Sequence, residues 1–186
     1  METSARKRAF IAVDVPDEVS LKVVKRMDEL TSGAIHFGTE MHITILFLGD
    51  ISSEKASRVS YLLSKLQASQ FPVSFSGVGE FRNNGRIVLF AKISDGADRI
   101  DALRAAIIPG IIAAGIKIEG REYVPHMTLC RIKEGTDAAE AAAMVAARSS
   151  TECIGSFVCR QVKLKHSSAI NGRFVHDDIF VKELIP

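Results

Sequence analysis

The sequence predicts an α+β fold: a bilobal duplicated unit, with antiparallel sheets lining a central cleft, helices packed on the outside and a pseudo-twofold axis between the halves. Three observations carry this expectation. Short β-rich runs alternate with amphipathic helical segments along the chain. A His-apolar-Thr-apolar run occurs twice, as His42-Ile43-Thr44-Ile45 and His126-Met127-Thr128-Leu129. The copies stand 126 − 42 = 84 residues apart in a chain of 186, with strand–helix–strand before each and helix–strand after it. The expected organisation is one domain of two similar halves, residues 1–84 and 85–186.

The elements follow in order. Phe10 to Val13 reads as a short buried strand. Pro16 suits a first helical position, and Asp17 and Glu18 favour the first turn. Val19, Val23, Met27 and Leu30 keep one apolar face to about Leu30. After a loop marked by Gly33 and Gly38, Met41 to Gly49 is β-rich and ends on a glycine. Ser52 or Ser53 caps a helix with an apolar stripe of Val59, Leu62, Leu63 and Leu66. Phe71 to Phe81 is a strand with Val73 and Phe75 on one face, closed by the Asn83-Asn84-Gly85 turn.

The second half repeats that order. Ile87 to Ile93 is a strand, and Asp98 to about Ala114 is helical with Pro109 breaking or kinking it. Ile116, Ile118 and the Gly120 region lead to a strand over Tyr123 to Leu129. Asp137 and Glu140 form a capping box for an alanine-rich helix to about Arg148. A long strand with Val162 and Leu164 then turns at Asn171-Gly172 into a last strand near Phe174 to Val181. Only Met1 to Arg8 read as disordered.

Composition narrows the function classes. At 47% hydrophobic and 25% charged, the chain has the balance of an ordinary soluble domain. A formal charge of +2 excludes a polycation that grips a long duplex by counterion release, so a nucleic-acid substrate would be held at a terminus or a single phosphate. Cys130, Cys153 and Cys159 lack zinc-knuckle spacing and read as buried, reduced thiols of a cytoplasmic protein. The N-terminus has no long apolar region like that of a signal peptide. Ala105 to Ile118 is too short and too broken by Pro109, Gly110 and Gly115 to span a bilayer.

The repeated tetrad carries the chemistry. Residues two apart in a strand share a face, so His42 projects with Thr44, and His126 with Thr128. One tetrad should arise by chance in about 5% of chains this long; two at equivalent places in a duplicated unit are a different matter. Side by side, two imidazoles and two hydroxyls suit a tetrahedral oxyanion, with one imidazole deprotonating water and the other protonating a departing alkoxide. Nothing in the tetrads says which does which. Arg131 lies five residues past His126, an odd offset, and reaches the same face only through a strand end, bulge or twist. There its guanidinium would neutralise phosphate charge without a metal.

The chain resembles the two-histidine (2H) phosphoesterases, and within them the RNA 2′,3′-cyclic phosphodiesterases first described as RNA 2′–5′ ligases. The resemblance spans Arg8 to Asp14, His42 to Asp50, Gly77-Val78-Gly79-Glu80-Phe81, Pro125 to Arg131, and Lys165 to Ser168 with Gly172. It implies hydrolysis of a terminal 2′,3′-cyclic phosphate to a 2′-phosphate, with no cofactor and no metal. It implies His42 as the general acid on the 3′-oxygen, His126 as the general base on water, and Thr44, Thr128 and Arg131 as phosphate binders. The reverse reaction, joining RNA ends through a 2′–5′ linkage, is implied as a slow one. Phe174 stands where the group often has Tyr, and Cys130 where it usually has another small or apolar residue.

The expected partner is RNA with a 2′,3′-cyclic phosphate end, such as a tRNA half in tRNA processing, or a small cyclic nucleotide, with no membrane and a monomeric protein. The competing classes are a non-catalytic RNA-end or nucleotide-binding module, and a 2H enzyme for another cyclic or 2′–5′ ester. Other residues get blander readings. His36, His166 and His176 read as surface or structural, and Gly77-x-Gly79 as a strand bulge or close packing. Ser167-Ser168 lacks a base at motif spacing. Lys7, Arg8, Arg82, Arg86, Arg121 and Arg173 read as solvated charge or an RNA-binding rim. With two Tyr and no Trp, extended stacking is not expected, although Phe81, Tyr123 or Phe47 could stack one terminal base.

Overall fold

The computed structural model describes residues 7–31, 33–38, 41–118, 120, 122–147, 153–170 and 173–186. Its elements run β1 (Lys7–Asp14), α1 (Asp17–Thr31), β2 (His42–Ile51), α2 (Ser53–Ser64), β3 (Phe71–Asn83), β4 (Arg86–Asp95), α3 (Ala97–Ala113), β5 (His126–Lys133), α4 (Asp137–Ala147), β6 (Cys153–Cys159), β7 (Gln161–Ile170) and β8 (Arg173–Glu183). The fold is α+β, and all pairings between these strands are antiparallel. They form one eight-stranded sheet in the order β6-β3-β4-β5-β2-β1-β7-β8, whose two four-stranded halves meet where β5 pairs with β2.

That order exchanges strands between the sequence halves. β3 lies beside β4, while β7 and β8 lie beside β1. The tight turn after β3 makes the first exchange possible. Asn84 and Gly85 adopt positive φ, 50° and 73°, as a two-residue hairpin turn of this hand demands. The junction of β2 with β5 is narrow, holding the single residue pair Ile43↔Met127. Beside it, the Tyr123 hydroxyl donates to the Thr44 carbonyl at 2.8 Å and so ties the approach to β5 onto β2.

One core underlies the sheet. Ile11, Ile43, Ile45, Phe75, Ile87, Leu89, Ile100, Ile111, Met127 and Leu164 are fully buried in it, with Val23, Met27, Val59 and Leu63 from the helices. Ser52 caps α2, its hydroxyl accepting from the Lys55 amide at 3.3 Å. Among the described residues, no helix is long and apolar enough to cross a membrane.

Several local expectations change. Lys7 and Arg8 belong to β1; Met1 to Arg6 lie outside the described residues, as do Arg121, Arg148 and the Asn171-Gly172 turn. α3 continues through Pro109, whose side of the helix is exposed, so the missing amide faces solvent. Tyr123 to Pro125 are not strand, and β5 starts at His126. Thr136, not Asp137, caps α4: its hydroxyl accepts from the Ala139 amide at 3.3 Å, and its carbonyl accepts from Glu140. Cys159 is buried and Cys130 half-buried, but Cys153 is exposed. β6 is an additional strand, paired with β3 along its length.

Candidate active site

β2 and β5 present their side chains in the same pattern. From His42 the burial alternates half-buried, buried, half-buried, buried, and Phe47 then comes out exposed. From His126 the same sequence of environments runs to Arg131. The cause is a bulge in each strand. β1 steps from Ile11↔Leu46 to Ala12↔Thr44, which leaves Ile45 as an extra residue. β4 steps from Leu89↔Cys130 to Phe90↔Thr128, which leaves Leu129 as the extra residue. Ile45 and Leu129 are again 84 residues apart.

An extra residue reverses the side-chain parity beyond it. Arg131, at an odd offset from His126, is therefore returned to the His126–Thr128 face, opposite Val88. Its counterpart in β2 is Phe47, paired with Phe10 and 59% exposed. The Ile43↔Met127 pair sets both His-x-Thr strands side by side. His42, Thr44, His126, Thr128, Phe47 and Arg131 thus share one face of the sheet, opposite the core.

Each histidine sits in a clamp of rings. His126 lies 5.0 Å from the Phe90 ring and 5.1 Å from the Phe81 ring, and those two phenyls stack at 4.3 Å. Gly79 makes that stack possible, because a Cβ there would meet Phe90 Cζ at 2.5 Å. Close packing is thus one reason for the Gly77-x-Gly79 run; a bulge at Gly77, with φ of 67°, is the other. His42 lies 5.0 Å from Phe10 and 5.2 Å from the ring of His176.

Electrostatics separate the two imidazoles. Burial, then the neighbouring His176, Lys165 and Arg131, push His42 from its ordinary 6.5 down to about 4, against the pull of Asp14. Burial also lowers His126, partly offset by a bond to the Val124 carbonyl. That bond, 2.7 Å from Nδ1, requires Nδ1 to donate, since a carbonyl can only accept. The neutral His126 ring then carries its lone pair on Nε2.

Beside His42 lies a square of ion pairs. Lys165 Nζ reaches Asp14 and Asp178, each at 2.8 Å; Lys163 Nζ reaches the same two at 2.8 and 2.7 Å. Lys165 is 7% exposed, so its partners are what make its burial tolerable. Among the described residues, no three His, Cys, Asp or Glu side chains group as a metal cage requires.

The model of the 2′–5′ RNA ligase superfamily matches residues 15–163. The chain belongs to that superfamily, and it is an enzyme of the 2H phosphoesterase kind. It is 30% identical to an RNA 2′,3′-cyclic phosphodiesterase of Archaeoglobus fulgidus, over 95% of this chain and 99% of that one. Its fold is that of Escherichia coli LigT in apo form, with a TM-score of 0.78 at 20% identity, covering 98% of this chain and 100% of LigT. LigT complexed with 3′-AMP gives a TM-score of 0.74 at 20% identity, covering 96% and 98%.

Sequence reasoning passed over two features of this superfamily member. His176 was read as surface or structural, yet its ring stands against His42 and Phe10. The lysine–aspartate square joins residues from both ends of the chain, and no motif marks it. His36 is exposed, and His166 lies 3.9 Å from Asp177. Of the basic residues named as a rim, Arg82 is held by Glu80 and Glu134.

Proposed function

We propose that the chain hydrolyses the 2′,3′-cyclic phosphate at the end of an RNA, leaving a 2′-phosphate, by acid–base chemistry between His42 and His126. The observation that carries this is the pair of bulged His-x-Thr strands joined at Ile43↔Met127. They gather two imidazoles, two threonines and one guanidinium on one face. The name of the Archaeoglobus fulgidus relative supports the ester; the 3′-AMP bound by LigT supports a nucleotide at the cleft.

His126 takes the base role because its Nδ1 is already committed to Val124, leaving Nε2 to accept a proton from water. The water oxygen bonds to phosphorus, and the bond from phosphorus to the 3′-oxygen breaks. A protonated His42 gives its proton to that oxygen. The Thr44 and Thr128 hydroxyls donate to the non-bridging oxygens, and Arg131 neutralises the charge that builds on them. No metal or other cofactor enters these steps. A negative phosphate counters the cations Lys165 and Arg131, and so raises the proton affinity of His42 when the substrate is bound.

Phe47, exposed on the same face, is the ring best placed to stack a terminal base. Tyr123 is committed to Thr44, and Phe81 is stacked on Phe90. A 5′-hydroxyl in the place of water would give the slow 2′–5′ joining reaction. The two lobes supply the whole site, which fits a monomer acting on RNA ends such as tRNA halves in the cytoplasm.

The test is incubation, with EDTA present, of an RNA ending in a 2′,3′-cyclic phosphate. A 2′-phosphate product is expected. Binding without turnover, or a 3′-phosphate product, overturns the mechanism. Turnover only of a small cyclic nucleotide or a 2′–5′ ester overturns the substrate.

A further inference from the structure

The clamp around His42 differs from the clamp around His126 in one member. On the His126 side both walls are phenyl rings, Phe90 and Phe81. On the His42 side one wall is Phe10 and the other is an imidazole. The His176 ring meets His42 edge-on, at 5.2 Å and 86°, and meets Phe10 in the same manner, at 5.1 Å and 81°. The three rings make a triangle, as Phe81, Phe90 and His126 do.

His176 arrives from a different direction. Phe81 is on the strand adjacent to β4, but His176 is on β8, two strands away from β1. The residue between them in β7 is Ser167, paired with His176 on one side and with Arg8 on the other. A serine is small enough for a ring to lean across it. β8 is also pinned at this point: Asp178, two residues on, is held by Lys163 and Lys165, and both lysines hold Asp14 of β1. The ring of His176 is therefore carried on an edge strand tied to the strand opposite His42.

We propose that His176 is a positioning residue for His42: it fixes the plane of the His42 ring and sets that ring's proton affinity by standing beside it as a second imidazole. The proposal deepens the reading of His42 as the general acid and rests on it. A phenyl at this place would supply the packing alone. An imidazole adds a group that itself takes a proton, and two rings this close do not both carry charge cheaply. The charged and titratable groups acting on His42 are Asp14 from β1, Arg131 from β5, Lys165 from β7 and His176 from β8. Asp14 favours the proton, the two cations oppose it, and the four charges of the lysine–aspartate square sum to zero. His176 is the member of this set whose charge changes in the range where an imidazole works. The depression of His42 agrees with this, His176 being its largest cause after burial.

The experiment compares His176→Phe, which copies the phenyl wall of the other clamp, with His176→Ala, which removes the wall. Ring Cε1–H resonances of His42 and His126 are followed against pH in the free protein. Steady-state kinetics on the cyclic-phosphate RNA are measured alongside. His176→Phe is expected to raise the His42 midpoint by roughly 0.5–1 unit and leave that of His126 in place. His176→Ala is expected to lower kcat about tenfold with little change in KM, and His176→Phe to recover a good part of that loss. An unmoved His42 midpoint in His176→Phe overturns the tuning. A wild-type kcat in His176→Ala overturns the positioning. The titration needs no turnover, so these outcomes stand apart from failure of the acid role, which full activity in His42→Ala would reveal.

Discussion

The two sides of the cleft share a backbone and differ in what surrounds it. β2 and β5 have the same His-x-Thr run, the same bulge one residue later and the same burial pattern. The His126 side is a stack of phenyl rings, with a backbone carbonyl fixing the tautomer. The His42 side holds an ion-pair square and a second imidazole. Where β5 carries Arg131, β2 carries Phe47. Symmetric strands place the reacting groups; unlike surroundings give two similar histidines different proton affinities. Acid–base work on one phosphate needs both conditions, because two identical imidazoles would have no reason to divide the roles.

The comparison breaks most visibly at the histidines themselves. His42→Ala and His126→Ala are each expected to lower kcat/KM by about 10²–10⁴-fold, with unchanged far-ultraviolet circular dichroism. A near wild-type rate in either variant would leave that side without a chemical role. The next largest difference lies between the equivalent positions Arg131 and Phe47. Arg131→Ala removes a charge-assisted contact worth about 1.5–3 kcal/mol, so kcat should fall roughly 10–100-fold. Phe47→Ala should instead raise KM by several-fold, because a lost stack weakens binding more than chemistry. Identical kinetic signatures in the two variants would contradict the division.

Smaller effects probe the scaffold. Gly79→Ala drives a methyl into Phe90 and should cost about 1–3 kcal/mol, read as a lower midpoint in urea. Tyr123→Phe removes the tie onto the Thr44 carbonyl and should cost about 1 kcal/mol. If Tyr123→Phe proved the more damaging, the junction rather than the ring clamp would be the sensitive point.

The smallest effect concerns pH. Both histidines bind a proton less readily in the folded protein than in the unfolded chain, His42 only near pH 4 against an ordinary 6.5. Below the ordinary value the unfolded chain therefore binds more protons, and acid favours unfolding. Stability should be complete above about pH 6.5 and decline toward about pH 4. His42→Gln should flatten that decline more than His126→Gln does. A urea midpoint that rises on acidification would contradict both shifts.

The repeat of the His-x-Thr run, and the strands that carry it, were legible because alternation and spacing are local properties of the chain. The bulges were not. Arg131 could be seen to need one, but whether Leu129 slips out of register depends on how β4 pairs with it, and that lies 38 or more residues away. β6 was invisible for a related reason. It is an edge strand, its burial does not alternate cleanly, and Gly155 packs against Val19 and Val23 of α1, so the expected periodicity is absent. His176 looked ordinary because its meaning comes from His42, 134 residues earlier. The cap of α4 was misplaced by one residue because Thr136 and Asp137 are both good caps by type. Only the turn geometry selects between them.

The strand exchange has a consequence for how the molecule comes apart. With β3 seated beside β4, and with β7 and β8 beside β1, no cut of the chain into an N-terminal and a C-terminal piece yields a fragment whose sheet edges are all satisfied. Each lobe is stitched from both ends of the polypeptide. The acid side and the base side therefore have no separate lives: they form in one cooperative event and melt in one, leaving no half-built cleft to bind an RNA end it cannot process.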